Sequence, residues 1–191
     1  MMARRKDLDM TASALTTGTW NLDASHSEIG FSVRHAGISK VRGSFTEFDA
    51  TLTTGATLAD SSVEATVQIA SVNTKDANRD GHLKGEDFFN AEQFPTMTFK
   101  STAVKGEAGE FILVGDLTIR GVSKEVEFEA ELGGEAVDAF GATRVGFFAS
   151  TTISRKEFGI TWNAALEAGG VLVSDKVKIE IDASFVLPTA E

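Results

Sequence analysis

Residues 122–132 read VSKEVEFEAEL, and from Val126 onward apolar and acidic side chains alternate. An alternation with a period of two places the apolar residues on one face of a β-strand and the charged residues on the other. The preceding residues 119–121, Ile-Arg-Gly, indicate a tight hairpin turn, because glycine adopts backbone angles that such turns need. A strand with one solvent-exposed face is typical of antiparallel sheets, since parallel strands are usually buried on both faces.

The same pattern recurs along the chain in about eight segments. Short links join most of them, so strands that are neighbours in sequence are expected to pair in an up-and-down meander. A barrel of about eight strands is just wide enough to hold one small ligand. We therefore predict an all-β, antiparallel up-and-down barrel. The predicted strands are 28–35, 41–52, 62–71, 97–104, 111–119, 122–132, 143–153 and 176–186.

Two longer connections, residues 72–96 and 154–175, interrupt this succession of strands and short links. The first predicts a short helical insert that closes one mouth of the barrel. The second ends in Gly169-Gly170 and predicts a long irregular connection. Connections of this length inside a compact domain are usually functional.

Length and charge limit the classes of function. A chain of 191 residues fits one domain, so we predict a tail at 1–18, a barrel domain at 19–187 and a tail at 188–191. The net charge of −10 argues against nucleic-acid binding, which depends on neutralising phosphates. The absence of cysteine excludes disulfides, thiolate metal sites and cysteine nucleophiles.

The chain begins with a basic stretch, residues 3–6, that Asp7 and Asp9 follow in place of an apolar run. We therefore expect no signal peptide and a cytoplasmic protein. No stretch of about 18 residues is apolar enough to predict a transmembrane helix. Any homodimer would use a face, a mouth or the inserts, because a closed barrel has no free strand edge.

Residues 76–81, DANRDG, match the first half of a calcium-binding loop. The position that should hold a bidentate glutamate holds Asp87, and Lys84 stands where a ligand is expected. A strand and not a helix precedes the loop, so a polar loop leading into a capped turn is favoured. The calcium-binding alternative would use Asp76, Asn78, Asp80 and Asp87.

The three histidines, His26, His35 and His82, lack the spacing of metal ligands, which favours hydrogen-bonding roles and predicts no metal site. Asp23, His26 and Ser27 supply the residue types of a catalytic triad. However, no Gly-x-Ser-x-Gly turn and no phosphate-binding loop occurs in the chain. We therefore predict a binding protein, with an enzyme that uses a histidine base as the alternative.

The chain contains 14 phenylalanines and no tyrosine, which indicates large buried surfaces that need no polar partner. In a barrel, these rings either fill the lumen or leave it open for an apolar guest. The residues alone leave both alternatives open.

Short motifs follow one another in a fixed order through residues 19–187. The motifs are Trp20–Ser27, Ile29–His35, Val41–Phe48, Asn78–Lys84, Asp87–Phe89, Phe94–Pro95, Phe99–Ser101, Gly115–Val122, Arg144–Phe147, Ser154–Gly159 and Gly169–Val177. As an ordered set they resemble the YceI-like polyisoprenoid-binding family.

The resemblance implies a lipocalin-like barrel whose lumen holds a long isoprenoid or similar amphiphile. It implies a soluble carrier or store and not an enzyme, and no cofactor apart from a bound isoprenoid lipid or quinone. An enzyme that acts on an isoprenoid lipid remains the alternative. Many relatives carry a secretory signal, and because none is seen here we do not carry over a periplasmic role.

Two sets of site residues follow for such a ligand. Residues expected to line the lumen or close its mouth are Ile29, Phe31, Val33, Phe45, Val67, Phe88, Phe89, Phe94, Phe99, Leu113, Phe128 and Phe148. Candidates for a phosphate head group are Arg34, His35, Arg79, His82 and Arg155. The competing interpretation is that these are rim charges paired with Asp80, Asp87 or Glu157. The net negative charge leaves a neutral head group, such as a quinone or an amide, open.

Overall fold

The computed structural model describes residues 15–106 and 109–189. This part of the chain forms eleven strands, paired antiparallel throughout, and one α-helix. The strands are β1 (Gly18–Leu22), β2 (Glu28–His35), β3 (Ser39–Phe45), β4 (Phe48–Thr54), β5 (Ser62–Gln68), β6 (Val72–Asn73), β7 (Thr96–Lys105), β8 (Glu110–Ile119), β9 (Val122–Val137), β10 (Thr143–Ser154) and β11 (Val173–Leu187), and the helix is α1 (Ala77–Lys84).

Eight of these strands close into a ring in the order β1-β4-β5-β7-β8-β9-β10-β11. Closure depends on β1, which pairs with β4 through Trp20 opposite Leu52 and with β11 through Leu22 opposite Phe185. From β4 to β11, each ring strand pairs with the next ring strand along the chain. The predicted eight-stranded antiparallel up-and-down barrel is therefore confirmed.

The ring is not built from the eight predicted segments, however. The predicted strand 41–52 is two strands, because the chain breaks direction after Phe45, where the Thr46 amide donates to Ser71 O at 3.2 Å. The β2–β3 hairpin lies outside the ring and extends the sheet from β11. The short strand β1 takes the missing place, and its alternation is only two apolar residues long.

The predicted N-terminal tail also ends earlier than expected. Leu15 is buried against Trp20, and Gly18 begins β1, so the last residues of the predicted tail 1–18 belong to the barrel. Residues 1–14, and residues 190–191 of the predicted C-terminal tail, lie outside the described part of the chain.

β9 continues past Gly133 and Gly134 to Val137, beyond the predicted end of this strand at residue 132. The register between β9 and β10 shifts at Gly146, so that one extra β9 residue is accommodated as a bulge. The glycines therefore bend the strand without ending it.

The helix α1 confirms the predicted helical insert. Asp76 caps its first turn by accepting from the amides of Asn78 and Arg79 at 3.0 and 3.1 Å. Leu83 of α1 packs against two of the interior clusters, so the helix plugs the barrel. We call this the capped end, formed by residues 76–95 and 155–172. No helix in the described ranges is long and apolar enough to cross a bilayer.

The other end of the barrel is closed by a cluster around Trp20, which is fully buried with Leu15, Leu52, Val145 and Phe185. The indole Nε1 donates to Thr54 Oγ1 at 3.0 Å, and the Thr54 hydroxyl donates to Thr16 O at 2.7 Å. Trp20 thus brings a large apolar surface into the core with its one polar atom satisfied.

Thr54→Val should lower the free energy of unfolding by about 1–3 kcal/mol, because the buried indole N–H of Trp20 would lose its acceptor. Urea denaturation measures the change, and Thr53→Val is the matched control because Thr53 is the exposed neighbour on the same strand. Equal stability of the two variants would show that this hydrogen bond does not hold Trp20 in place.

Candidate functional site

A cavity of about 180 Å³ lies inside the barrel between the two ends. Every strand of the ring contributes to its wall, and most of the residues in the wall are apolar. Only two residues of the wall, Asp49 and Asp182, are charged, and both are exposed to solvent. The described cavity is therefore a site for an apolar group.

Five of the predicted lumen residues line this cavity. The rings of Phe99 and Phe128 meet edge to face at a centroid distance of 5.3 Å. Gly115 makes room for the Phe99 ring, because a Cβ at this position would lie 2.4 Å from it. The five are Ile29, Val67, Phe99, Leu113 and Phe128.

The other predicted lumen residues, apart from Phe148, lie outside the cavity wall. Phe31, Phe45 and Phe89 pack against one another next to α1, with ring centroids 5.6 and 6.0 Å apart. They fill the barrel beside the helix. Phe88 is buried in the cluster that closes the capped end, and Phe94 lies against Gly121, while Val33 does not reach the cavity.

The prediction that Phe148 lines the lumen is wrong. Its side chain is 51% exposed and lies on the outer face, while Phe147 and Ala149 line the cavity. Two consecutive phenylalanines fit either phase of the alternation, and the continuous register with β11 places Phe147 opposite Ala183 and Phe148 opposite Asp182. The period-two series Val145, Phe147, Ala149 was the signal for the correct face.

Three aromatic residues of the wall besides Phe147 were not predicted, namely Phe48, Phe111 and Phe185. Phe147 lies edge-on to Phe111 and to Phe185, each at a centroid distance of 6.2 Å. The lumen is thus bordered by rings that touch at their edges and leave space between them.

The capped end is held by Arg155, which is 4% exposed. Its Nε donates to Ser174 O at 2.8 Å, and its Nη2 donates to Val173 O at 3.2 Å. Its Nη1 donates to Ile160 O at 2.9 Å and to Trp162 O at 2.8 Å. Burial lowers the pKa of this guanidinium. Because its N–H groups bond backbone carbonyls, Arg155 stabilises the 155–174 segment. It does not line the cavity as a head-group ligand.

The remaining head-group candidates do not converge on one point. Arg79 Nε donates to Thr74 Oγ1 at 2.8 Å. His82 Nε2 lies 2.9 Å from Asp87 Oδ2, and its ring contacts the ring of Trp162. The other two, Arg34 and His35, are exposed at the end of β2. None of the five lines the described cavity.

The calcium-like residues are engaged separately. Asp76 caps α1, Asp80 Oδ1 accepts from the Thr74 amide at 2.8 Å, and Asp87 pairs with His82. Within residues 15–106 and 109–189, no cluster of three or more metal-ligating side chains was found.

The triad-like residues near β1 do not form a relay. The Ser27 hydroxyl donates to Asp23 O at 2.7 Å and not to the His26 ring, while Ser25 Oγ and Asp23 Oδ2 lie 3.2 and 2.8 Å from the same His26 nitrogen, Nδ1. In a relay, the hydroxyl and the carboxylate contact different ring nitrogens. Asp23 is also bound by Arg144, whose Nη1 donates to it at 2.6 Å and whose Nε donates to Asp138 at 2.6 Å.

Asp23 should make the stability of the barrel depend on acid pH. The bonds from Ser25, Arg144 and His26 hold the pKa of the Asp23 carboxyl well below its ordinary value of 3.8. A pKa lowered in the folded state stabilises the protein above the unfolded value, and this stability is lost as the pH falls through the folded value. The free energy of unfolding should therefore fall less steeply below pH 3.8 in Asp23→Asn than in the wild type. The free energies of unfolding are measured by urea titration at several pH values. If those of the wild type and Asp23→Asn changed with pH in parallel, Asp23 would not be the source of the acid dependence.

The outer face of the sheet carries a second, larger concavity, a groove of about 1110 Å³. Acidic side chains face one another across its strands, Glu110 opposite Glu131 and Asp182 opposite Glu28, with the exposed Phe148 between these pairs. The barrel thus has an apolar interior and a largely acidic outer groove.

Comparisons with known proteins agree with this architecture. Residues 20–185 match the family model described as the YceI-like domain. A UPF0312 protein of Staphylococcus aureus (strain USA300) is 38% identical over 169 residues, which cover 87% of this chain and 96% of the relative. A UPF0312 protein of strain N315 matches over the same length with the same identity.

Solved structures show the same barrel. The Campylobacter jejuni YCEI protein is 32% identical with a TM-score of 0.71, covering 88% of this chain and 97% of that chain. Burkholderia cenocepacia BcnA has a TM-score of 0.75 at 22% identity, covering 85% and 98% of the two chains. A polyisoprenoid binding domain from Saccharophagus degradans has a TM-score of 0.68 at 14% identity, covering 88% and 98%. These matches show that the chain belongs to the YceI-like domain family.

Proposed function

We propose that this protein binds one isoprenoid-type lipid in the lumen of the barrel, as a carrier or a store. The observation that carries the proposal is the internal cavity of about 180 Å³, whose only charged wall residues are exposed. The polyisoprenoid binding named for the Saccharophagus degradans domain, which shares this fold, supports the proposal.

The energetics fit a ligand that is held by buried area. Each methylene transferred from water to an apolar lumen contributes about 0.8 kcal/mol, and ordering the flexible chain opposes that gain. An apolar cavity of about 150 Å³ takes up one benzene. The described cavity therefore accommodates about one isoprene unit, and a longer chain requires side chains of the wall to move.

A neutral head group suits the charge distribution better than a phosphate. Arg155, Arg79 and His82 are engaged by protein atoms, and no cation among the described residues lines the cavity. The net charge of −10 and the acidic outer groove disfavour an approaching anion. Prenyl alcohols and quinones are therefore the ligand classes that we expect.

The geometry supports binding without turnover. All three histidines are exposed, and none lines the cavity. A general base has to reach the reacting proton directly or through one water molecule. A lipid held in this lumen would keep its buried atoms away from each histidine.

Titration of protein that has been unfolded, extracted and refolded tests the proposal. Prenyl alcohols of increasing chain length should bind saturably at one site, with affinity rising as each isoprene unit is added. Quinones should bind at least as well as prenyl phosphates of the same chain length. A failure of every chain to saturate a single site would contradict the proposed function.

A further inference from the structure

An exposed apolar tip stands beside the capped end of the barrel. Ile38, at the turn between β2 and β3, is 86% exposed, and Val171 in the neighbouring loop is 53% exposed. The Ala36 amide donates to Leu172 O at 2.7 Å, so the hairpin turn and the loop are joined. The two exposed side chains therefore belong to one feature, which we call the hairpin lip, formed by residues 34–42 and Val171.

The hairpin lip is basic, although the chain carries a net charge of −10. Residues 34–42 contain Arg34, Lys40 and Arg42 and no acidic residue. All three cations are exposed, and none takes part in an ion pair with another described residue. Arg34 lies directly opposite Lys40 on the neighbouring strand, an arrangement of like charges that is unfavourable in isolation.

The nearest stretch of β11 does not neutralise this charge. It adds Lys176 and Lys178, of which Lys178 pairs with Glu180 at 3.1 Å. The carboxylate of Asp175 accepts a hydrogen bond from Ser154 Oγ at 2.7 Å, which holds it near the end of β10.

We propose that the hairpin lip docks on the surface of an anionic lipid bilayer. Exposed apolar side chains surrounded by lysine and arginine are the features of interfacial membrane binding. The outer groove, where acidic side chains outnumber the cations Arg42, Lys105 and Lys178, would be repelled by the same surface, which orients the barrel with its capped end toward the lipid. The inference rests on the proposed function, because a carrier of a membrane lipid must meet the bilayer.

Docking would bring the capped end of the barrel to the membrane. Arg155 ties residues 160–162 to the start of β11, and His35 pairs with Val173 in the same segment. The hairpin lip is therefore continuous with the segment that closes the capped end. A lipid leaving the bilayer would meet this segment first.

Vesicle flotation of the whole chain tests the proposal. Binding should be stronger to phosphatidylcholine vesicles with about 30% phosphatidylserine than to pure phosphatidylcholine, and should weaken as salt is added. Replacing both Arg34 and Lys40 with serine should weaken binding about 30-fold, since each cation contributes about fivefold. Ile38→Ser should weaken it about fivefold or more.

Matched controls lie at the other end of the barrel. Phe140 is 95% exposed in the turn between β9 and β10, and Lys105 ends β7. Phe140→Ser and Lys105→Ser should leave vesicle binding unchanged. Equal binding to neutral and anionic vesicles, no binding to either, or an equal loss in the control variants would overturn the proposal.

The experiments distinguish a failure of the membrane-docking proposal from a failure of the proposed lipid binding. The lip variants should bind prenyl alcohols in solution as the wild type does, because none of the altered residues lines the cavity. Vesicle binding that depends on Arg34, Lys40 and Ile38 supports the docking surface even where prenyl titration fails. Prenyl binding without vesicle binding overturns the docking surface and leaves the proposed function standing.

Discussion

Replacing Arg155 with methionine should lower the free energy of unfolding by about 3–5 kcal/mol. The guanidinium donates to four backbone carbonyls and is almost fully buried. Methionine fills a similar volume but donates nothing, so each buried carbonyl left without a partner costs about 1–3 kcal/mol. Water reaching some of these carbonyls keeps the total below the full sum.

Urea denaturation measures the Arg155→Met effect, with Lys156→Met as the control because Lys156 is the exposed next residue. The control should change stability by less than about 0.5 kcal/mol. Arg155→Lys should also be strongly destabilised, since one ammonium does not match the spread of the guanidinium fork. A loss below about 1 kcal/mol in Arg155→Met would mean that the 155–174 segment is held by other contacts.

Enlarging Ala149 to leucine should weaken binding of prenyl chains about tenfold or more, because the added methyl groups occupy the cavity that the ligand needs. Ala149 lines the cavity, which has room for the added atoms in the unliganded protein. The stability of the apo protein should therefore change by less than about 1.5 kcal/mol.

The adjacent residue provides the control for the Ala149 experiment. Phe148 is on the same strand with its side chain on the outer face. Phe148→Ala removes a large apolar group next to Ala149 and should leave prenyl binding within about twofold of the wild type. If Phe148→Ala weakened binding and Ala149→Leu did not, the ligand would lie in the outer groove and not in the lumen.

The long strands of the barrel could be predicted because their alternation repeats many times. β9 shows four acidic residues between apolar ones, and its partner β8 lies across one tight turn. β1 carries only Trp20 and Leu22 on its apolar face, so it was missed although it closes the ring. The break after Phe45 depends on a bond from Thr46 to Ser71, a contact that local sequence does not encode.

The candidate site was harder to predict, because the face that a residue occupies depends on register. Phe147 and Phe148 are the same residue type, and Phe147 is the one that lies inside, in the same phase of β10 as the buried Val145. Arg155 was assigned to a head group because arginine forks match phosphate oxygens. The same donors match carbonyl oxygens equally well, and the fold of residues 155–174 supplies four of them.

Native mass spectrometry of the purified protein, followed by denaturing extraction, shows whether the barrel holds a lipid. We expect a stoichiometric adduct whose mass is that of a prenyl alcohol or a quinone and that reappears when this lipid is added back to the apo protein. The Ala149→Leu variant should carry much less of the same adduct. A clean apo mass that stays unchanged after prenyl alcohols, quinones and prenyl phosphates are added would contradict the account, and the phenylalanine rings would then simply fill the lumen.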